Sequence, residues 1–231
     1  MAERPVFIPR SDGDRLVEET SFSFNWNPGF APVQKKKNIV ALHEAALAKG
    51  TSPLLEVSTK SETKLGQRLS AFNLTVELDD GSSIPLECAF QGSKEFERGG
   101  PFTDLYRVDA RSARKDSRLR SSGKLIGFRF QGLDFPLEPK TAFYDWLYIS
   151  AILPHKEYLK RLEEFAGFTD IEFNPAKSIN CQARSCAIFV ALMNKGILES
   201  AMQSPKEFIK ELSRDSWRQP HSKDDLQGKL L

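Results

Sequence analysis

Glu87, Gln91 and Lys94 stand at i, i+4 and i+7 in the segment Glu87-Cys88-Ala89-Phe90-Gln91-Gly92-Ser93-Lys94. On a helix that spacing is one stripe, so a carboxylate, an amide and an amine face the same way. A carboxylate can stabilise developing positive charge or position a water, and an amine can deliver a proton or attack an aldehyde carbon. The same stripe is the ordinary solvated face of an amphipathic helix, and spacing alone does not separate a cleft from bulk water.

A second concentration of chemistry runs from Arg107 to Lys124, where seven basic residues (Arg107, Arg111, Arg114, Lys115, Arg118, Arg120, Lys124) meet only Asp109 and Asp116. A diphosphate or a DNA backbone would suit it, and so would plain solvent. The whole chain has 33 Lys and Arg against 31 Asp and Glu, a formal charge of +2, so any attraction for an anion is local. Cys88, Cys181 and Cys186 form no C-x-x-C or other common zinc spacing. His43, His155 and His221 lie far apart, without a His-Glu-x-x-His motif or a nucleophile elbow. Zinc and serine hydrolases are thereby disfavoured, and the cysteines read as small buried hydrophobes in a reducing compartment. The start, Met1-Ala2-Glu3-Arg4-Pro5, lacks the apolar stretch of a signal peptide, and the longest apolar run, Cys186 to Met193, is too short to cross a bilayer. A soluble cytoplasmic protein that does not engage a membrane is expected.

The elements that must hold these residues follow from periodicity and punctuation. At 231 residues with 40% apolar content and 17 phenylalanines the chain can build a core. Helices are expected at about 38–49, with Ile39, Leu42 and Ala46 on one face, and at 85–96, 139–153, 155–165 and 178–194. Ser204-Pro205-Lys206-Glu207 has the form of a capping box opening one more helix. Strands are expected at 54–58, at 74–78 before an Asp79-Asp80-Gly81 turn, and at 125–130, where Ile126, Phe128 and Phe130 would share a face. Residues 168–175 read as turns and 218–231 as a polar, mobile tail. The fold class is therefore α+β: one compact domain, mostly helical, with a few short strands.

Several phrases together resemble the NADAR family. They are Leu69-Ser70-Ala71-Phe72-Asn73-Leu74, a strand with an Asp80-Gly81 turn, and Glu87-x-x-Phe90-Gln91-x-x-Lys94. Later family elements resemble Ala113-Arg114-Lys115, the stretch Lys140 to Leu153, and Phe168-Thr169-Asp170 followed by Asn180 and Cys186 to Met193. Cys88 stands where the family usually has histidine, Ala71 where it has asparagine and Phe168 where tryptophan is common. Phe24-Asn25-Trp26-Asn27-Pro28-Gly29, Gly99-Gly100-Pro101-Phe102-Thr103-Asp104-Leu105 and Ser178 to Arg184 look most like the branch encoded beside DarT-type toxins. The resemblance implies a catalytic core at 69–196, an N-terminal extension at 1–68 packed on it, and a C-terminal helix and tail at 197–231.

It also implies an ADP-ribosylglycohydrolase. Such an enzyme would hydrolyse the N-glycosidic bond between ADP-ribose and guanine in single-stranded DNA, release ADP-ribose, and act as antitoxin to a cognate DarT-type toxin. Cleaving that bond develops positive charge at the anomeric carbon, which Glu87 would stabilise. Lys94 would protonate the departing base or attack the opened sugar as a Schiff-base nucleophile. Asp170 and Asn180 would bind sugar hydroxyls or orient the base, and Phe72 or Trp146 would stack on it. Ser70, Asn73, Gln91, Arg114 and Lys115 complete the expected binding set, and the chemistry needs neither metal nor cofactor. Two alternatives share the same core motif: an N-glycosidase acting on a ribosylated metabolite such as a riboflavin-pathway intermediate, and a module that binds ADP-ribose without cleaving it.

Overall fold

Phe22 and Phe24 share one buried face of an extended segment whose other face is exposed at Ser21 and Ser23 and buried at its start by Val17, which makes Val17–Phe24 a strand. This strand, β2, pairs antiparallel with β1 (Ala2–Pro9) along its whole length, Ala2 opposite Phe24 and Pro9 opposite Val17. The computed structural model describes residues 1–214, so the polar segment 218–231 lies outside the described residues. Three further strands or helices follow: α1 (Pro32–Leu47), β3 (Leu54–Glu56) and α2 (Lys64–Arg68). Proline opens α1 earlier than expected, so Lys35 to Lys37 lie inside the helix, while Ile39, Leu42 and Ala46 form its buried face.

The β4–β5 hairpin (Thr75–Glu77, Ser83–Pro85) turns through Gly81 at φ +79° and leads into α3 (Leu86–Gly92). The expected helix at 85–96 therefore ends at Gly92, and Lys94 begins a strand, β6 (Lys94–Phe96). The Tyr106 ring packs so closely on Gly92 that a side chain there would overlap it, and the Ser93 hydroxyl bonds back to the Ala89 carbonyl at 2.7 Å. The chain then extends into a three-stranded sheet in the order β6, β7 (Leu125–Phe130), β8 (Leu133–Phe135). A register shift between Glu95 and Phe96 makes Ile126 a bulge residue, so it faces solvent while Phe128 and Phe130 face the core. The basic stretch between these strands folds as two short helices, α4 (Ala110–Lys115) and α5 (Arg118–Ser121).

Helix α6 (Ala142–Ile152) ends at a 3-10 turn containing Pro154. The expected helix 155–165 is broken into α7 (Lys156–Leu159) and a 3-10 turn at Lys160–Glu164. The segment 168–175, expected as turns, instead begins within β9 (Gly167–Thr169), a strand inserted between β1 and β3 in a sheet ordered β2-β1-β9-β3. Helix α8 starts at Gln182, not Ser178, whose hydroxyl instead donates to the Asn180 carbonyl at 3.2 Å. It runs to Asn194 and is buried from Gln182 to Leu192, which explains the apolar run that starts at Cys186. The chain closes with α9 (Leu198–Ala201) and α10 (Pro205–Arg214), the latter capped by Ser204, whose Oγ accepts from the Glu207 amide at 3.2 Å.

These elements form an α+β architecture. The four-stranded sheet carries α1 on one face, through Val6, Phe22, Phe24, Ile39 and Leu42. Its other face, through Phe7, Leu55 and Phe168, joins the main core built around α8 and α6. Within that core Asp145 on α6 forms an ion pair with Arg184 on α8, and Ser185 donates to the same carboxylate at 2.6 Å. Both charges of this pair are thus matched and hydrogen-bonded, the condition under which burial is tolerated. All three cysteines are buried and unpaired, and burial pushes the Cys181 and Cys186 thiols up, consistent with packing roles. Among the described residues no helix is long and apolar enough to cross a membrane.

Candidate functional site

Helix α3 presents Glu87 and Gln91 one turn apart, and Gln91 Nε2 donates to Glu87 Oε1 at 2.8 Å. Lys94, although on β6, turns back so that its Nζ donates to Gln91 Oε1 at 2.7 Å and lies 4.8 Å from the centre of the Phe90 ring. Arg114, from α4, places Nε 3.1 Å from Glu87 Oε1. Carboxylate, amide and amine therefore converge even though the helix ends between them. Lys94 is 0% exposed, and this burial lowers its ammonium to about 7; Glu87 opposes the shift and Arg114 adds to it.

The backbone that holds Lys94 is itself constrained. Gly100 sits at φ +87°, and a Cβ there would fall on the Lys94 carbonyl oxygen. Only glycine allows the Gly99-Gly100-Pro101 turn to pass so close beneath the lysine.

Glu87, Gln91 and Arg114 line one side of a cleft of about 430 Å³. Ala71 and Phe72 from the loop after α2, Phe90 from α3, Tyr144 from α6, Gln182 at the start of α8, and the segment between β9 and α8, with Asp170, Glu172, Phe173, Lys177 and Asn180 among its residues, line the rest. The volume lies within the range of small-molecule sites. Phe72 is 63% exposed, an aromatic at the rim with a face open to solvent. Asn180 Oδ1 is a buried acceptor without a hydrogen-bond partner among the described residues, and it is placed to accept from a ligand hydroxyl or N–H.

Gln182, at the start of α8, ties the two walls together. Its Nε2 donates to Asp170 Oδ2 at 2.9 Å, and its Oε1 accepts from the Ala71 amide at 2.7 Å and the Ser70 hydroxyl at 3.5 Å. Asp170 is held from behind as well. The fully buried Glu56 carboxylate accepts from the Thr169 hydroxyl at 2.7 Å, the Ile171 amide at 2.9 Å and the Ser58 hydroxyl at 2.6 Å, which clamps both neighbours of Asp170. Burial pushes both carboxyls up, Glu56 further because the Asp170 charge adds to the effect. Thr169 Oγ1 also meets His43 Nε2 at 2.9 Å, and burial lowers His43 to about 4, so the imidazole is neutral.

The remaining expected residues lie elsewhere. Trp146 packs against Phe135 and Phe130, at ring distances of 5.1 and 6.4 Å, in the aromatic cluster under the three-stranded sheet. Asn73 donates to the Gln67 carbonyl and faces a separate depression of about 720 Å³, lined by Lys64, Arg68, His155 and apolar side chains without a carboxylate. Lys115 is exposed beyond the cleft lining, and Ser70 is buried behind it. Lys94 too lies behind the wall, with the Gln91 amide between it and the cleft. Among the described residues no group of three or more His, Cys, Asp or Glu side chains is placed to hold a metal ion.

The family model for DarT1-associated NADAR antitoxins matches residues 2–222. The chain belongs to this family. No curated protein matches it. Membership gives the chain an antitoxin role associated with DarT1, and the match includes the hairpin β1–β2 that sequence reading did not resolve into strands. In this NADAR antitoxin the cleft residues not anticipated include Tyr144, Glu172, Phe173, Lys177 and above all Gln182. Gln182 falls two positions after Asn180 in the phrase Ser178 to Arg184, and a buried amide at a helix start was its available signal.

Proposed function

We propose that this antitoxin is an ADP-ribosylglycohydrolase that hydrolyses the N-glycosidic bond between ADP-ribose and guanine in DNA, in the cytoplasm, and so reverses a modification made by its DarT1 partner. The observation that carries the reading is the state of the Glu87 carboxylate. Gln91 and Arg114 both engage Oε1, while no hydrogen bond to Oε2 from the described residues competes for it. Glu87 is thus an oriented carboxylate with one oxygen fixed and the other presented to a cleft.

Placed against the anomeric carbon, Oε2 stabilises the positive charge that grows as the base departs, or it aligns the attacking water. Phe72 stacks on the base at the rim, Asn180 Oδ1 accepts from the ligand, and Asp170, oriented by Gln182, binds the sugar hydroxyls. Arg114 and its basic neighbours on α4 attract the diphosphate. Lys94, held near neutrality, either donates its proton toward the leaving base or becomes the amine nucleophile after Gln91 swings aside.

The deciding experiment incubates a guanine-ADP-ribosylated oligonucleotide with wild type, Glu87→Gln and Lys94→Ala, and follows free ADP-ribose and unmodified DNA by mass spectrometry. Wild type is expected to release both, and Glu87→Gln to be slower by at least about 10²-fold. An inert wild type that cleaves a ribosylamino-pyrimidine phosphate would move the activity to a small metabolite. Binding of ADP-ribose with no turnover of any substrate would make the protein a binding module.

A further inference from the structure

We propose that the loop Asn25–Phe30, the first turns of α1 and Arg4 form a docking track for single-stranded nucleic acid that leads to the Glu87 cleft. The proposal rests on the reading that the substrate is a modified base within a DNA strand. The loop has a built shape: Asn38, fully buried on α1, accepts from the Asn27 amide at 2.7 Å and donates to the Asn27 carbonyl at 2.9 Å. That clamp fixes the loop with Trp26 half-buried against Phe24 and leaves Phe30 98% exposed, although a lone aromatic in water gains nothing from such a position.

Cations surround these rings. The Arg4 guanidinium lies 5.3 Å and Lys35 Nζ 5.7 Å from the centre of the Trp26 ring, and Lys36 and Lys37 follow on exposed positions of α1. No acidic residue occurs between Asn25 and His43, and Lys35, Lys36 and Lys37 have no carboxylate partner among the described residues. Aromatic faces interleaved with unpaired cations are what a single strand requires: bases stack, phosphates pair, and no sequence is read. Lys35, on a flexible stem, can yield the Trp26 face to a base and take the adjoining phosphate. A duplex would keep its base faces hidden from such a loop.

The patch adjoins the cleft through β1. Phe7 on that strand pairs with Phe168, two residues before Asp170, and Arg4 is close enough to Asp170 to feel its charge. Arg4 Nε is buried without a hydrogen-bond partner among the described residues, a donor available to a phosphate oxygen at the junction.

The test uses the full chain and an unmodified, end-labelled 12-nucleotide single strand, with binding read by fluorescence anisotropy at several salt concentrations. The exposed variants Phe30→Ala and the triple Lys35→Ser, Lys36→Ser, Lys37→Ser leave the fold intact, and Trp26→Ala is added as a third. Each is expected to bind about tenfold more weakly, and the triple variant to lower the salt slope by about two. ADP-ribose release should fall on a modified oligonucleotide and stay at the wild-type level on modified guanosine. Binding unchanged in all three, equal loss on both substrates, or binding to anionic vesicles in place of the oligonucleotide would overturn the track. Wild-type binding through these residues without turnover of either substrate would instead sink the catalytic reading and leave the track standing.

Discussion

Lys94 and Glu87 are joined by a single amide: Gln91 accepts from the lysine at 2.7 Å and donates to the carboxylate at 2.8 Å. The bridge fixes the glutamate's orientation and keeps the amine buried one layer behind the cleft. Glutamine suits this place because it offers both a donor and an acceptor. Gln91→Leu, of similar size, should leave the fold in place and lower kcat at least tenfold with a smaller change in KM, measured by ADP-ribose release.

Lys94 titrates at about 7 in the folded protein against 10.5 for the free side chain. If it acts as a nucleophile, kcat should rise with pH through about 7, and sodium borohydride should trap a covalent sugar adduct on Lys94; if it is the acid, kcat should fall above that pH and no adduct should form. The folded state binds fewer protons than the unfolded state between these two values. Stability should therefore rise with pH across that window, by up to about 1.4 kcal/mol per unit, and Lys94→Met should abolish the rise in denaturant titrations.

Glu56 shows the opposite sign. Its carboxyl is raised by burial and by Asp170, so the native state holds a proton that the unfolded state releases in the ordinary carboxylate range. Stability should fall as pH rises from that range toward the raised value and then level off. Glu56→Gln cannot ionise and should flatten the fall, while melting at neutral pH stays within a few degrees of wild type. Glu56→Ala, which leaves Thr169, Ile171 and Ser58 without their acceptor, should cost several kcal/mol.

Gln182→Leu removes the tie between Asp170 and the Ala71 loop. We expect a loss of about 1–3 kcal/mol in chemical denaturation from the groups left unpaired. KM for the modified oligonucleotide should rise about tenfold, because both walls of the cleft lose their common reference.

Gly100→Ala should act through Lys94 without touching the cleft. The positive φ alone costs about 1–3 kcal/mol, and the added methyl collides with the lysine carbonyl. Reduced thermal stability together with lost activity is expected, whereas Gly81→Ala, at φ +79° with open space around it, should show only the strain.

The cleft was more legible in the sequence than the sheet beneath it. Glu87 and Gln91 follow helical spacing, and the turn at Asp80-Gly81 announces the hairpin that delivers them. Lys94 obeyed the same spacing for a different reason: the helix stops at Gly92 and the strand that follows directs the side chain back. Strand β1 escaped because Pro5 and Pro9 interrupt it and because Val6 and Phe7 are both buried, on opposite faces, which erases alternation. Strand β9 escaped by brevity, and Ile126 misled because a bulge reverses the strand's parity. Trp146 is a reminder that an aromatic on an apolar helix usually serves the core.

Among the described residues, strand β9 is what links the hairpin β1–β2 to strand β3 in their sheet. Until residue 169 is available the first 56 residues cannot complete that sheet, and the wall bearing Asp170 and Gln182 does not exist. Closure depends on contacts more than 100 residues apart, such as Thr169 to Glu56 and Gln182 to Ala71. A chain interrupted before Gln182 therefore lacks one wall of the cleft, however well α3 and its Glu87 have formed.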